Sequence, residues 1–84
     1  MLEPRYVDTR EAAERLTPLV AAGFAPKALE AGDVQFPEAG GGVVLIECKR
    51  LYQYVADMQT GQLIRQARKL AGAADYPWLL LQDP

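Results

Sequence analysis

Apolar and polar positions along this chain switch between a two-residue and a helical period, and the switches mark its elements. Arg5-Tyr6-Val7-Asp8-Thr9 reads as a short strand. Ala12, Ala13, Leu16, Leu19 and Val20 then form an apolar stripe at helical spacing, with Thr9 as cap and Glu11 in the first turn facing the positive helix end. Pro18 is costly in mid-helix, so Thr17-Pro18 is read as a cap and first position that restart the helix after a kink. Gly23 ends it. Phe24 to Leu29 predicts a strand weakened by Pro26, and Asp33 to Phe36 another after the Glu30-Ala31-Gly32 turn. A glycine-rich hairpin loop, 37–42, leads into Val43 to Lys49, whose apolar residues on both faces mark a central strand. Leu51, Val55 and Met58 give a short helix, broken at Thr60-Gly61. Leu63, Ile64, Ala67, Leu70 and Ala71 line a second helix ended by Gly72. Trp78-Leu79-Leu80-Leu81 reads as a last buried strand, with Trp78 in the core. From residue 10 the order is αβββαβ, with an extra strand in front.

The 84 residues make room for one small domain, 1–84, either minimal or truncated at its C-terminus. One cysteine excludes an internal disulfide framework and suits a reduced compartment. No signal-peptide pattern is present, which points to a chain that is not secreted. No apolar run reaches the roughly 20 residues that span a bilayer, so no membrane role is expected. With no histidine and one cysteine, the usual zinc ligands are missing; with no serine, so is a Ser-His-Asp arrangement. The remaining chemistry is that of carboxylates, lysine and a hard, oxygen-liking ion.

The net charge of −2 hides an uneven distribution. Residues 1–47 hold four cations against eight acids. Residues 48–74 hold five cations (Lys49, Arg50, Arg65, Arg68, Lys69) against one acid, Asp57. An acidic half beside a basic half suits a metal site next to a phosphate-tracking surface; ordinary solvated helix faces give the same count.

The central strand ends in Glu47-Cys48-Lys49. Residues i and i+2 of a strand share a face, so Glu47 and Lys49 project together, with Asp33 one hairpin upstream. Two carboxylates and an ammonium converging at a strand end are what metal-dependent phosphodiester hydrolysis requires. A lone Glu-x-Lys pair equally suits a surface ion pair. Cys48 alternates with that pair and reads as packing rather than a reactive thiol. Tyr52 and Tyr54 are placed to stack on bases or to act as half-buried supports.

Taken together, Val7-Asp8-Thr9-Arg10-Glu11, Gly32-Asp33 and Ile46-Glu47-Cys48-Lys49 resemble the nuclease domain of the XPF family of structure-specific endonucleases. That family belongs to the PD-(D/E)xK, restriction-endonuclease-like superfamily. Asp57-Met58-Gln59-Thr60-Gly61-Gln62-Leu63, followed by Gln66 and Arg68, continues the similarity, which spans about residues 6 to 82. The resemblance implies an α/β fold with a restriction-endonuclease-like αβββαβ core, a mixed central sheet flanked by helices. It implies Mg²⁺- or Mn²⁺-dependent cleavage of branched or flap-like DNA in repair or recombination. Asp33 and Glu47 would be metal ligands, and Lys49 would position the attacking water. Asp8 and Glu11 would lie near the site, Asp8 also as a ligand. Arg10 would hold an acid or a phosphate, and the Cys48 carbonyl would complete the ion's shell. Arg50, Arg65, Arg68 and Lys69 would contact DNA, and the domain would pair as a homodimer or with another nuclease-fold or DNA-binding subunit. The implied location is cytoplasmic and nucleoid-associated, or nuclear in a eukaryote. Two positions depart from the family: Cys48 stands where it has arginine, and Gln53 where it has aspartate. They support the alternative of a catalytically weak module that binds DNA or an active partner.

Overall fold

The computed structural model describes residues 5–82. Five strands and three helices alternate as β1 (Tyr6–Asp8), α1 (Ala13–Ala21), β2 (Ala25–Lys27), β3 (Val34–Pro37), β4 (Val43–Arg50), α2 (Leu51–Thr60), α3 (Gln62–Ala73) and β5 (Tyr76–Gln82). The strands form one mixed sheet in the order β2-β1-β3-β4-β5. β1 runs parallel to β2 and β4 parallel to β5, while β3 is antiparallel to both β1 and β4. The protein is therefore an α/β fold; β4, expected at the centre, is an interior strand between β3 and the edge strand β5, and the middle position belongs to β3.

The sheet divides the helices. On one face α3 buries Leu70 against Leu45 and Leu29, and Leu45 is 2 % exposed. On the other, α1 packs over β1 and β2 only. Only the side chains of Glu14 and Arg15 extend from it to Arg50 of β4 and Gln82 of β5, so the outer half of that face stays largely open.

Several sequence expectations change here. The cap of α1 is Ala12, not Thr9, and it makes no side-chain cap bond. The helix runs unbroken through Pro18 instead of restarting there; Pro18 is exposed, so water can serve the carbonyl one turn earlier that loses its donor. Gly23 does close α1, with φ of 102°. Phe24 N–H donates to Leu19 O and Gly23 N–H to Val20 O, the paired bonds that left-handed glycine permits after a helix. α3 continues past Gly72 to Ala73. The largest change concerns β5, expected to be buried. It is an edge strand, and Trp78 is 63 % exposed. Its apolar run fits a core strand, but α1 does not extend over it.

Candidate metal centre

The site lies where the carboxyl ends of β1 and β4 meet the amino end of β3, the sheet end at which α/β folds commonly bind ligands. Val34 pairs with Ile46 across the β3–β4 hairpin, so Asp33 falls opposite Glu47. The Asp33 N–H donates to Ile46 O at 2.7 Å, and its Oδ2 accepts the Cys48 N–H at 2.7 Å. The preceding Gly32 has φ of 76°, and a Cβ there would lie 2.7 Å from Leu45 Cγ. Both the backbone angle and the space require glycine. The Gly32-Asp33 pair is thus a local device that turns the chain tightly over Leu45 and delivers the carboxylate.

Asp33 stands between two acids, within hydrogen-bonding reach of both Glu11 and Glu47. Burial first, then the Glu47 charge, push the Asp33 carboxyl up to about 6, against the opposing Cys48 N–H. Glu11 is raised as well, by burial and by Asp33, against Arg15, whose guanidinium lies 2.8 Å from a Glu11 oxygen. One Glu11 oxygen, one Asp33 oxygen and the Cys48 sulfur lie within 4.8 Å of one another. Burial and the Asp33 charge also raise the Cys48 thiol, which keeps it protonated. Glu47 meets Asp33 but lies outside that close cluster; the carboxylates of Glu11 and Asp33 are the donors that suit a hard divalent ion, which takes carboxylates rather than a protonated thiol. The Cys48 carbonyl lies on the same side of β4 as its N–H, toward Asp33.

Asp8 also borders this cleft but is already committed. It is 4 % exposed, accepts the Leu29 N–H at 3.0 Å, and takes Arg10 in a forked pair at 3.0 and 3.1 Å. Arg10 donates onward to Leu29 O at 2.6 Å. Burial raises the Asp8 carboxyl, yet Arg10 and the Leu29 N–H together outweigh it and hold Asp8 below the ordinary range. Asp8 and Arg10 thereby tie the end of β1 to the segment after β2.

Lys49 shares the Glu47 face of β4 but not its surroundings. Its ammonium is buried against Asp57 of α2 at 2.5 Å, and Gln53 Nε2 donates to the other Asp57 oxygen at 3.3 Å. Arg50 reaches Glu14 at 3.4 Å, on the α1 side. Arg65 and Lys69 face the acids across a cleft of about 380 Å³, together with Gln62 and Gln66 of the same helix. Arg68 is exposed and does not line it. The structure therefore brings together Asp33, Glu47, Glu11 and Cys48, keeps Asp8 and Arg10 beside them, and sets Lys49, Arg50 and Arg68 apart.

Glu30 escapes motif reading and adds an acid to the cleft. Gln62 and Asp57 stand in the 57–63 stretch of the resemblance without a role there; Gln62 lines the cleft as a neutral polar group and Asp57 holds Lys49. Helical spacing carries the signal for one of them: 62, 65, 66 and 69 fall on one face of α3. Searches against protein-family models, curated proteins and solved structures give no match.

Proposed function

We propose that the chain is a metal-dependent DNA endonuclease domain with a restriction-endonuclease-like core of the XPF type. One observation carries the reading: Asp33 and Glu47 stand opposite each other at the end of β4, with Glu11 close by. Such carboxylates repel one another without a cation to hold them. Glu11, Asp33 and Glu47 would hold Mg²⁺ or Mn²⁺, which supplies Lewis-acid polarisation of a phosphate and a more acidic bound water. Arg65 and Lys69, on the opposite wall, meet the charge of the DNA backbone. The preference for branched or flap-like substrates rests on the XPF resemblance, as does pairing with a second nuclease-fold or DNA-binding subunit.

A second reading is favoured by the Lys49–Asp57 pair: a nuclease-fold module that binds DNA and cuts it weakly or not at all. An ammonium neutralised by Asp57 is not free to orient water at Glu47. Labelled splayed-arm, flap and duplex DNA, incubated with Mn²⁺, Mg²⁺ or EDTA, distinguishes the two. Metal-dependent cleavage supports the nuclease. Binding with no product under any metal condition supports the module and removes the enzymatic reading.

A further inference from the structure

β5 is the outermost strand, and its large side chains stay in solvent: Tyr76, Trp78, Leu79, Leu80 and Leu81 are 40–63 % exposed. Residues 76–82 carry no charge, the usual guard of an open edge. The register shows which main-chain groups are free. Ile46 O turns toward β3, so the odd residues of β4 face β5. Val44 pairs with Tyr76, which turns the even residues of β5 inward and leaves Pro77, Leu79 and Leu81 facing outward. Pro77 offers only its carbonyl there; Leu79 and Leu81 offer both groups.

Both faces beside this edge are largely apolar and uncovered, with Glu14 and Arg15 as the charged residues of the α1 side. On the α1 face a groove of about 420 Å³ is lined by Pro18, Leu19, Phe36, Ile46 and Leu80. On the other, Leu51, Val55 and Met58 of α2 form an exposed stripe at helical spacing, on a helix packed against β4 and β5. These eight side chains leave roughly 700 Å² in solvent, close to the ~800 Å² per partner of a stable interface.

We propose that the occupant of this surface is a second copy of the chain, paired antiparallel along β5 about a two-fold axis at Leu79. This register gives the greatest overlap of the described strand. Leu79 meets Leu79 in a mutually hydrogen-bonded pair, and each Leu81 N–H donates to the Pro77 carbonyl across the axis. Pro77 lies toward one end of the pairing, where solvent can serve the Leu81 carbonyl that it leaves without a donor. Trp78 falls opposite Leu80 on the α1 face, so each indole enters the other copy's groove. Apolar groups meet apolar groups on both faces. Nucleic acid finds no cation on this strand. The proposal goes beyond the catalytic reading and does not depend on it.

Trp78 is the sole tryptophan and reports on its own burial. Sedimentation equilibrium of the full chain, from about 1 to 100 µM, is to be read alongside tryptophan emission and iodide quenching in the same samples. We expect a dimer whose emission shifts to the blue, with quenching falling as it forms. Leu80→Lys should weaken association about 30-fold or more, leaving red, quenchable emission and an unchanged far-ultraviolet spectrum. A wild-type chain monomeric throughout overturns the proposal. So does a dimer whose Trp78 remains quenchable, because its contact lies elsewhere. Should Leu80→Lys fail to fold, the wild-type emission still decides.

Discussion

The Lys49 ammonium is held by Asp57, eight residues on and across the β4–α2 junction, in a contact that leaves both residues about 7 % exposed. Lys49, first through this hydrogen bond, and Gln53 as a lesser partner hold the Asp57 carboxyl below its ordinary range, against burial. A depressed carboxylate stabilises the fold above the unfolded value, and that contribution is lost as pH falls through the folded one. Removing one partner strands the other without its counter-charge. Asp57→Ala should therefore lower the thermal midpoint more than the double variant Lys49→Met/Asp57→Leu, measured by calorimetry at pH 7. Equal losses in both would show that the pair matters only as packing.

Asp33 has the opposite sign. Its carboxyl is raised to about 6, so its stabilising protonated form is fully present below the unfolded value of 3.8 and is lost as pH rises through about 6. Without metal, the stability of Asp33→Asn relative to wild type should rise from about pH 4 to about pH 6 and level off above it, as the mutual repulsion of the acids is removed. Thermal midpoints of both proteins in EDTA test this. A constant difference across the range contradicts it.

The same repulsion predicts a response to metal. Free Mn²⁺ a hundredfold above its Kd should add about 2.7 kcal/mol to wild-type stability. The gain should be smaller at pH 5, where protons compete for the ligands, and should be lost in Glu47→Gln. Denaturant titrations with and without Mn²⁺ measure each case.

Asp8 has a structural part to play whatever the chemistry. Asp8→Ala leaves the buried Leu29 N–H without its acceptor and should cost about 1–3 kcal/mol in urea unfolding. A change within error would mean that the segment after β2 is held by other contacts.

Gly32→Ala should cost about 1–3 kcal/mol as well, from the left-handed angle it imposes on alanine, and should weaken Mn²⁺ binding by displacing Asp33. Calorimetric titration of Mn²⁺ alongside unfolding separates the two effects.

Much of this architecture is legible in the residues themselves. The apolar run Val43–Ile46 marks an interior strand, Gly61 separates the two helices after it, and Gly32 marks the turn before Asp33. The juxtaposition of Asp33 and Glu47 follows from hairpin register, which loop 37–42 and the strand alternation together constrain. Other features depend on tertiary placement. Glu47 and Lys49 share a face, but the turn into α2 at Leu51 brings Asp57 to Lys49 and takes its ammonium from the acids. Trp78–Leu81 has the composition of a buried strand, yet whether a helix covers it depends on the length and path of α1. The Asp8–Arg10 fork is written in neighbouring residues, but its third partner, the main chain of Leu29, is brought there only by the parallel pairing of β1 with β2.

The central claim is that Asp33 and Glu47 form a centre that cuts DNA. Its most direct test is single-turnover cleavage of a labelled splayed-arm duplex in Mn²⁺, with wild type and Asp33→Asn assayed side by side. The account predicts a product that EDTA abolishes and that falls at least about 100-fold in Asp33→Asn, while DNA binding persists. Equal cleavage by both proteins, or none by a wild type that binds the DNA and Mn²⁺, would contradict it.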